Sequence, residues 1–167
     1  LPTGDWGKKG SALDFDEKSW YRTLKATLKM KDLIYRHGAI MDQYDPEKKI
    51  GMVIDEWGTW YDVEPGTNPG FLYQQNTMRD ALVAGINLNL FNKNCDRVKM
   101  ANIAQMVNVL QAVILTDGEK MLKTPTWHAF NLYKYHQDAE LLESSVETEE
   151  IGIEENCRIP NLSESVS

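Results

Sequence analysis

Two adjacent carboxylates, Asp55 and Glu56, follow an apolar run at residues 50–54 and precede two tryptophans, Trp57 and Trp60, in the stretch KIGMVIDEWGTWY at residues 49–61. A carboxylate walled by indole rings suits chemistry on a sugar. Aromatic faces stack on the ring, and the carboxylate can address the anomeric carbon. A short apolar run of this kind predicts a strand at residues 50–55 buried on both faces, as in a parallel sheet. Ligands and catalytic groups of α/β folds gather at the C-terminal ends of such strands. Period-two alternation puts Glu56 on the face of Ile50, Met52 and Ile54, and Asp55 on that of Gly51 and Val53. The competing reading is that the acids only mark the chain leaving the core and that the tryptophans pack.

Other residue types with chemical potential are less organised. His37, His128 and His136 stand in no HxH or HExxH spacing, so no metal site and no cofactor is expected. Cys95 and Cys157 are far apart and fit no metal motif; two buried or idle thiols are expected, which mildly favours a reducing compartment. Gly118-Glu119-Lys120 lacks the first glycine of a phosphate loop and reads as a turn. Asn161-Leu162-Ser163 fits a glycosylation acceptor pattern, which means little without a secretory leader.

The elements that must position the strand end follow from periodicity and punctuation. Residues 1–15 read as a loop, and Asp14 or Asp16 can cap a helix at residues 17–35, with Glu17 in its first turn and Gly38 interrupting it. Asp45-Pro46 marks a turn before the strand, and residues 62–70 form a loop with two prolines and two glycines. A second helix is expected over 71–92, packing through Met78, Ala81, Leu82, Gly85 and Leu88. A second strand is expected over 97–102, then a partly helical stretch over 104–115. Thr124-Pro125 opens a helix to about Tyr135, with Pro125 in its first turn. Beyond His136, residues 139–146 and 159–167 look extended, separated by a solvated acidic loop at 147–155.

At 167 residues and 42% hydrophobic the chain can build one core. Its net charge of −7 is uneven: residues 137–167 carry nine acids against one base, whereas residues 1–136 carry 17 bases against 16 acids. A nearly neutral body lacks the clustered Lys and Arg of a nucleic-acid surface, so no nucleic-acid partner is expected. No run approaches the roughly 18 apolar residues of a membrane helix, so no membrane partner is expected either. No signal peptide is visible, which points to a cytoplasmic protein. The order helix, strand, helix, strand, helix is the repeating unit of a parallel α/β fold. Two strands cannot close a barrel, so the chain reads as part of something larger.

The segments IDEWGTWY, NTMRDALVAGINLNLFNKNCDRVKMANIAQMVNVLQAVI and LSESVS, at the separations found here, resemble the α-L-arabinofuranosidases of glycoside hydrolase family 51. The similarity runs from LPTGDWG at the start to the acidic tail. It implies an α/β fold: residues 1–136 as the C-terminal part of a (β/α)8 TIM barrel, about strands seven and eight, and residues 137–167 as the beginning of an all-β sandwich. It also implies a retaining glycoside hydrolase that releases terminal α-L-arabinofuranosyl residues from oligosaccharides and polysaccharides such as arabinan and arabinoxylan. Glu56 matches the family's nucleophile. Trp60 matches an aromatic that walls the sugar site, and Gln105 a residue that hydrogen-bonds the arabinose or the nucleophile; Asn102 is a weaker rival for that role. The acid/base Glu, which follows an Asn at another strand end, falls before Leu1. Family members often form trimers or hexamers, so the resemblance implies a homo-oligomer for the full-length protein. Trp6 and Trp127 could line outer subsites, though packing suits them better. Alternatives are a related retaining glycosidase, such as an endo-glucanase or xylosidase, and an inactive carbohydrate-binding remnant.

Overall fold

The computed structural model describes residues 7–167. A helical pair comes first, α1 (Glu17–Thr27) and α2 (Lys29–Tyr44). Asp16 caps α1, its carboxylate accepting from Ser19 N–H at 2.7 Å. This bond holds the Asp16 pKa below its usual value, and Glu17 complements the first turn. Thr23 and Thr27 hydroxyls bond back to carbonyls four residues earlier, and the chain turns at Leu28. Gly38 does not interrupt α2, contrary to expectation. The cost of about 1 kcal/mol for an interior glycine is offset by docking of the helix through Ile34 into the main core.

The helix ends at Asp45, before Pro46, as a residue preceding proline must leave the helical region. The Asp45 carboxylate then accepts from Lys49 and Ile50 N–H, turning the chain into β1 (Met52–Trp57). From β1 the chain passes through an irregular segment to α3 (Met78–Lys93), returns in β2 (Val98–Ile103), and β1 and β2 pair in parallel. This is a β-α-β unit, as the pattern of apolar runs predicts.

α3 begins at Met78, later than residue 71, behind a capping box in which Thr77 and Asp80 exchange hydrogen bonds. Its packing face also differs from expectation. Met78 is 64% exposed and Leu82 41%, whereas Val83, Ala84, Asn87 and Phe91 are buried. The helix is rotated so that Arg79 and Asp80 turn inward as well, Arg79 donating to the carbonyls of Ser11 and Ala12 and Asp80 accepting from Thr59 and Thr77.

After β2, residues 104–113 are not helical. Asn108 and Leu110 take left-handed backbone conformations, and a hairpin follows, β3 (Ile114–Asp117) with β4 (Lys120–Lys123), turning at Gly118 as the sequence suggests. α4 (Pro125–Tyr133) starts where expected, capped by Thr124 with Pro125 in its first turn. In the acidic tail, β5 (Glu150–Ile151) pairs antiparallel with β6 (Ile159–Pro160), so the region expected as a plain loop contributes a strand, and Leu142 bridges Val166. The tail docks on α1 and α3: Ile159 joins Leu24 and Val83 in a core cluster, and Asn89 and Asn92 donate to Ser163 and Ser165.

The main core lies between the strand pair and the helices, built on Ile34, Trp57, Ala84, Phe91 and Val98, with Met52, Ile54, Ala101 and Ile103 packed against it. Trp57 meets Phe91 edge-on at 5.3 Å and stacks on Phe130 at 5.9 Å. The opposite face of the pair is open among the described residues, with Val53 at 48% and Met100 at 56% exposure. β1 is therefore covered on one face here, not on both.

Candidate active site

Glu56 and Gln105 come to neighbouring positions because β1 and β2 are adjacent parallel strands that end together. Ala104 N–H, just before Gln105, donates to the carbonyl of Trp57, just after Glu56, at 2.9 Å. Asp55, Glu56 and Gln105 are all exposed at this end of the sheet.

The face assignment of Glu56 needs correction. Met52 and Ile54 pack against the helices and not on the open face, and Trp57 packs with them. Ile54 pairs with Ala101 and Trp57 with Ile103, so three steps along β1 match two along β2. This bulge absorbs one residue. Counting back from Trp57, Glu56 lies on the open face with Val53, opposite to Met52 and Ile54. Parity counted forward from Ile50 reaches the wrong face because it cannot register the extra residue.

Trp60 is half-buried, with Lys9 Nζ 5.8 Å from its ring centroid. Its backbone leaves the strand through Gly58, whose φ of +130° favours glycine; a Cβ there would meet Gln111 Oε1 at 3.2 Å. Gln105 follows a cis peptide from Ala104, donates its N–H to Val109 O, and lines an open cleft of about 1340 Å³ with Phe71, Tyr73, Asn108 and Met121. Asn102 is exposed on β2. Trp127 lies apart on α4, half-buried under Lys123 Nζ at 4.0 Å and edge-on to His128. Trp6 falls outside the described residues.

Beneath the strand ends is a buried polar layer that the hydrophobic pattern did not signal. Thr59, Gln74, Asn76, Asp80, Gln111, Thr124 and Thr126 are each at most 4% exposed. Thr59 Oγ1 donates to Asp80 Oδ1 at 2.6 Å, Thr126 N–H and Oγ1 donate to Asn76 Oδ1, and Thr124 Oγ1 donates to the carbonyl of Ala112 or Val113. Burial raises the Asp80 pKa, against the hydrogen bonds from Thr59 and Thr77 that favour the carboxylate. The one sequence signal for this layer was the Thr77–Asp80 capping box. Next to it, the Arg79 guanidinium is sandwiched between the Phe15 ring at 3.7 Å and the Tyr61 ring at 4.1 Å, fastening the N-terminal loop to α3.

Among the described residues no three His, Cys, Asp or Glu side chains form a metal-type cluster, and no helix is long and apolar enough to cross a membrane. What the strand end offers is a pair of exposed carboxylates, a half-buried indole and an exposed amide next to a buried hydrogen-bonded layer.

A family model described as the α-L-arabinofuranosidase C-terminal domain matches residues 55–163. The chain is 49% identical, over 99% of its length, to an intracellular exo-α-L-arabinofuranosidase of Bacteroides ovatus, of which it covers 32%. Over half its length it is 32% identical to an intracellular exo-α-(1→5)-L-arabinofuranosidase of Bacillus subtilis; the match covers 18% of that protein. Among solved structures, a family 51 arabinofuranosidase from Xanthomonas axonopodis superposes on 95% of the chain with a TM-score of 0.91 and 55% identity, the match covering 32% of that protein. An α-L-arabinofuranosidase from Thermotoga maritima, in complex with arabinose, superposes on 79% with a TM-score of 0.68 and 27% identity, the match covering 27% of that protein. The chain thus spans about a third of the length of the Bacteroides relative.

Proposed function

The chain belongs to the glycoside hydrolase family 51 α-L-arabinofuranosidases, and from that premise we propose that it is the part of a retaining exo-acting arabinofuranosidase that carries the nucleophile. Residues 1–136 are the C-terminal portion of a (β/α)8 barrel, with β1 and β2 as its seventh and eighth strands, and residues 137–167 open a β-sandwich. The observation that supports the reading is the joint ending of β1 and β2, where the Ala104–Trp57 hydrogen bond joins the residues next to Gln105 and Glu56.

In this reading the Glu56 carboxylate attacks the anomeric carbon of a terminal arabinofuranosyl unit. The glycosidic oxygen leaves with a proton from a second carboxylic acid about 5 Å away, supplied by the longer protein. Water, activated by that second group, then attacks the glycosyl-enzyme, releasing arabinose with retention and restoring Glu56. Trp60 walls the sugar ring, and Gln105 hydrogen-bonds the sugar or the nucleophile. The substrates are arabinofuranosyl oligosaccharides or polysaccharides. No cofactor, nucleic acid or membrane takes part, and the longer protein is an intracellular homo-oligomer, a trimer or hexamer.

A panel of nitrophenyl glycosides assayed with the full-length enzyme tests this. Turnover confined to the α-L-arabinofuranoside supports it, and preferred turnover of a glucoside or xyloside would replace it with a related glycosidase.

A further inference from the structure

A segment that presents an aromatic ring to a ligand has to be held by its backbone, since the ring is committed to the ligand. Trp60 sits between two main-chain N–H groups, each taken by a buried side-chain carbonyl. Thr59 N–H donates to Gln111 Oε1 at 2.9 Å, and Tyr61 N–H donates to Gln74 Oε1 at 2.8 Å. Both amide side chains are fixed at their other ends. Gln74 Nε2 donates to Thr59 Oγ1 at 3.0 Å, and Gln111 Nε2 donates to Asp80 O at 2.7 Å and Thr126 Oγ1 at 3.1 Å. Thr59 Oγ1 closes the circuit on Asp80 Oδ1. Gln74 is 2% exposed, and Thr59, Asp80, Gln111 and Thr126 are 0% exposed.

The same Gln111 reaches the second strand end. Its main-chain N–H donates to Ala104 O at 3.1 Å, immediately before Gln105. One residue therefore holds the Trp60 segment by its side chain and the Gln105 segment by its backbone. An apolar core of equal volume can match or exceed the stability of such a layer. It cannot match its directionality, because hydrophobic contact is non-directional whereas satisfied buried networks specify a single arrangement.

We infer that Gln74 and Gln111 are positioning residues whose side chains hold the Trp60 segment in place at the sugar site; the inference rests on the binding role proposed above for Trp60. The test is a double-mutant cycle in the full-length enzyme with a nitrophenyl arabinofuranoside. Gln74→Leu and Gln111→Leu are each measured alone and combined with Trp60→Ala. Each Leu variant is expected to raise KM about 10- to 100-fold, the scale set by small misplacements of a site. The pKa values of the pH–rate profile are expected to stay unchanged. In the Trp60→Ala background the same substitutions are expected to add less than about twofold, since contacting residues acting through one another are non-additive.

Full additivity with Trp60→Ala, or an unchanged KM in a folded Leu variant, would overturn the inference. Should the Leu variants not fold, Thr59→Val and Thr59→Ser decide the matter. Valine is expected to raise KM and serine, which keeps the bridging hydroxyl, to restore it, and a wild-type KM in Thr59→Val would overturn the inference. An unchanged KM in Trp60→Ala alone would instead remove the binding role of Trp60, and the inference with it.

Discussion

Glu56 lies in β1 and Gln105 two residues past the end of β2, and one backbone hydrogen bond, from Ala104 N–H to Trp57 O, joins the residues next to them. The local signal for Glu56, an acid at the end of an apolar run, was plain in the sequence. Its face was not, because a β-bulge absorbs one residue between Ile54 and Trp57 and period-two counting has no access to it. Gln74 and Gln111 were invisible for a different reason: polar residues in a core carry no periodic signature, and only their partners reveal them. At this scale Glu56→Ala in the full-length enzyme is expected to lower kcat by about 10⁴-fold or more, with azide restoring turnover by taking the vacant place of the carboxylate. Stopped-flow or endpoint assays with and without azide check it, and near-normal turnover would remove Glu56 from the mechanism. Gln105→Ala is expected to raise KM for the arabinofuranoside more than it alters the pH profile, as a contact to substrate should.

Between elements, the junction of α2, β1 and β2 is held by Arg97, whose side chain is 4% exposed and pairs with Asp42 and, at 2.7 Å, with Asp45. Asp45 also receives the Ile50 and Lys49 N–H groups, and the Ile50 bond and Arg97 hold its pKa below the usual 3.8. Because the folded pKa is the lower one, this carboxylate contributes stability that is fully present above pH 3.8 and fades as pH falls toward the folded value. Asp45→Asn should therefore melt at a lower temperature than the wild type at neutral pH, and the gap should narrow on acidification. A gap independent of pH would refute the linkage. Phe91→Ala, which removes the edge contact to Trp57 from the main core, is expected to cost about 3–5 kcal/mol in denaturant unfolding.

Two helix starts were legible from capping and proline signals, Asp16 for α1 and Thr124-Pro125 for α4. The stretch 104–113 was not. Its apolar residues suggested a helix, but Asn108 and Leu110 turn left-handed to bring the chain into the β3–β4 hairpin. Asp117-Gly118 was the available clue.

Taken whole, the described chain is a β-α-β unit whose helices cover one side of a two-stranded sheet and whose acidic tail wraps the far side of α3. Ile50, Val53 and Met100 are exposed at 64, 48 and 56%. Each strand also has an edge without a partner among the described residues. Such surface favours association. Residues 1–167 expressed alone are expected to bind a hydrophobic dye and to show no arabinofuranosidase activity, whereas the full-length enzyme should do the reverse; light scattering and dye fluorescence compare the two.

Covalent trapping shows whether the Glu at this strand end forms the glycosyl-enzyme. The full-length enzyme is treated with a 2-fluoro arabinofuranoside bearing a good leaving group, digested with trypsin and analysed by tandem mass spectrometry. One added fluoro-arabinosyl group is expected on the peptide at residues 50–79, with fragment ions placing it on Glu56. A label on Asp55, or on a peptide outside this segment, would contradict it.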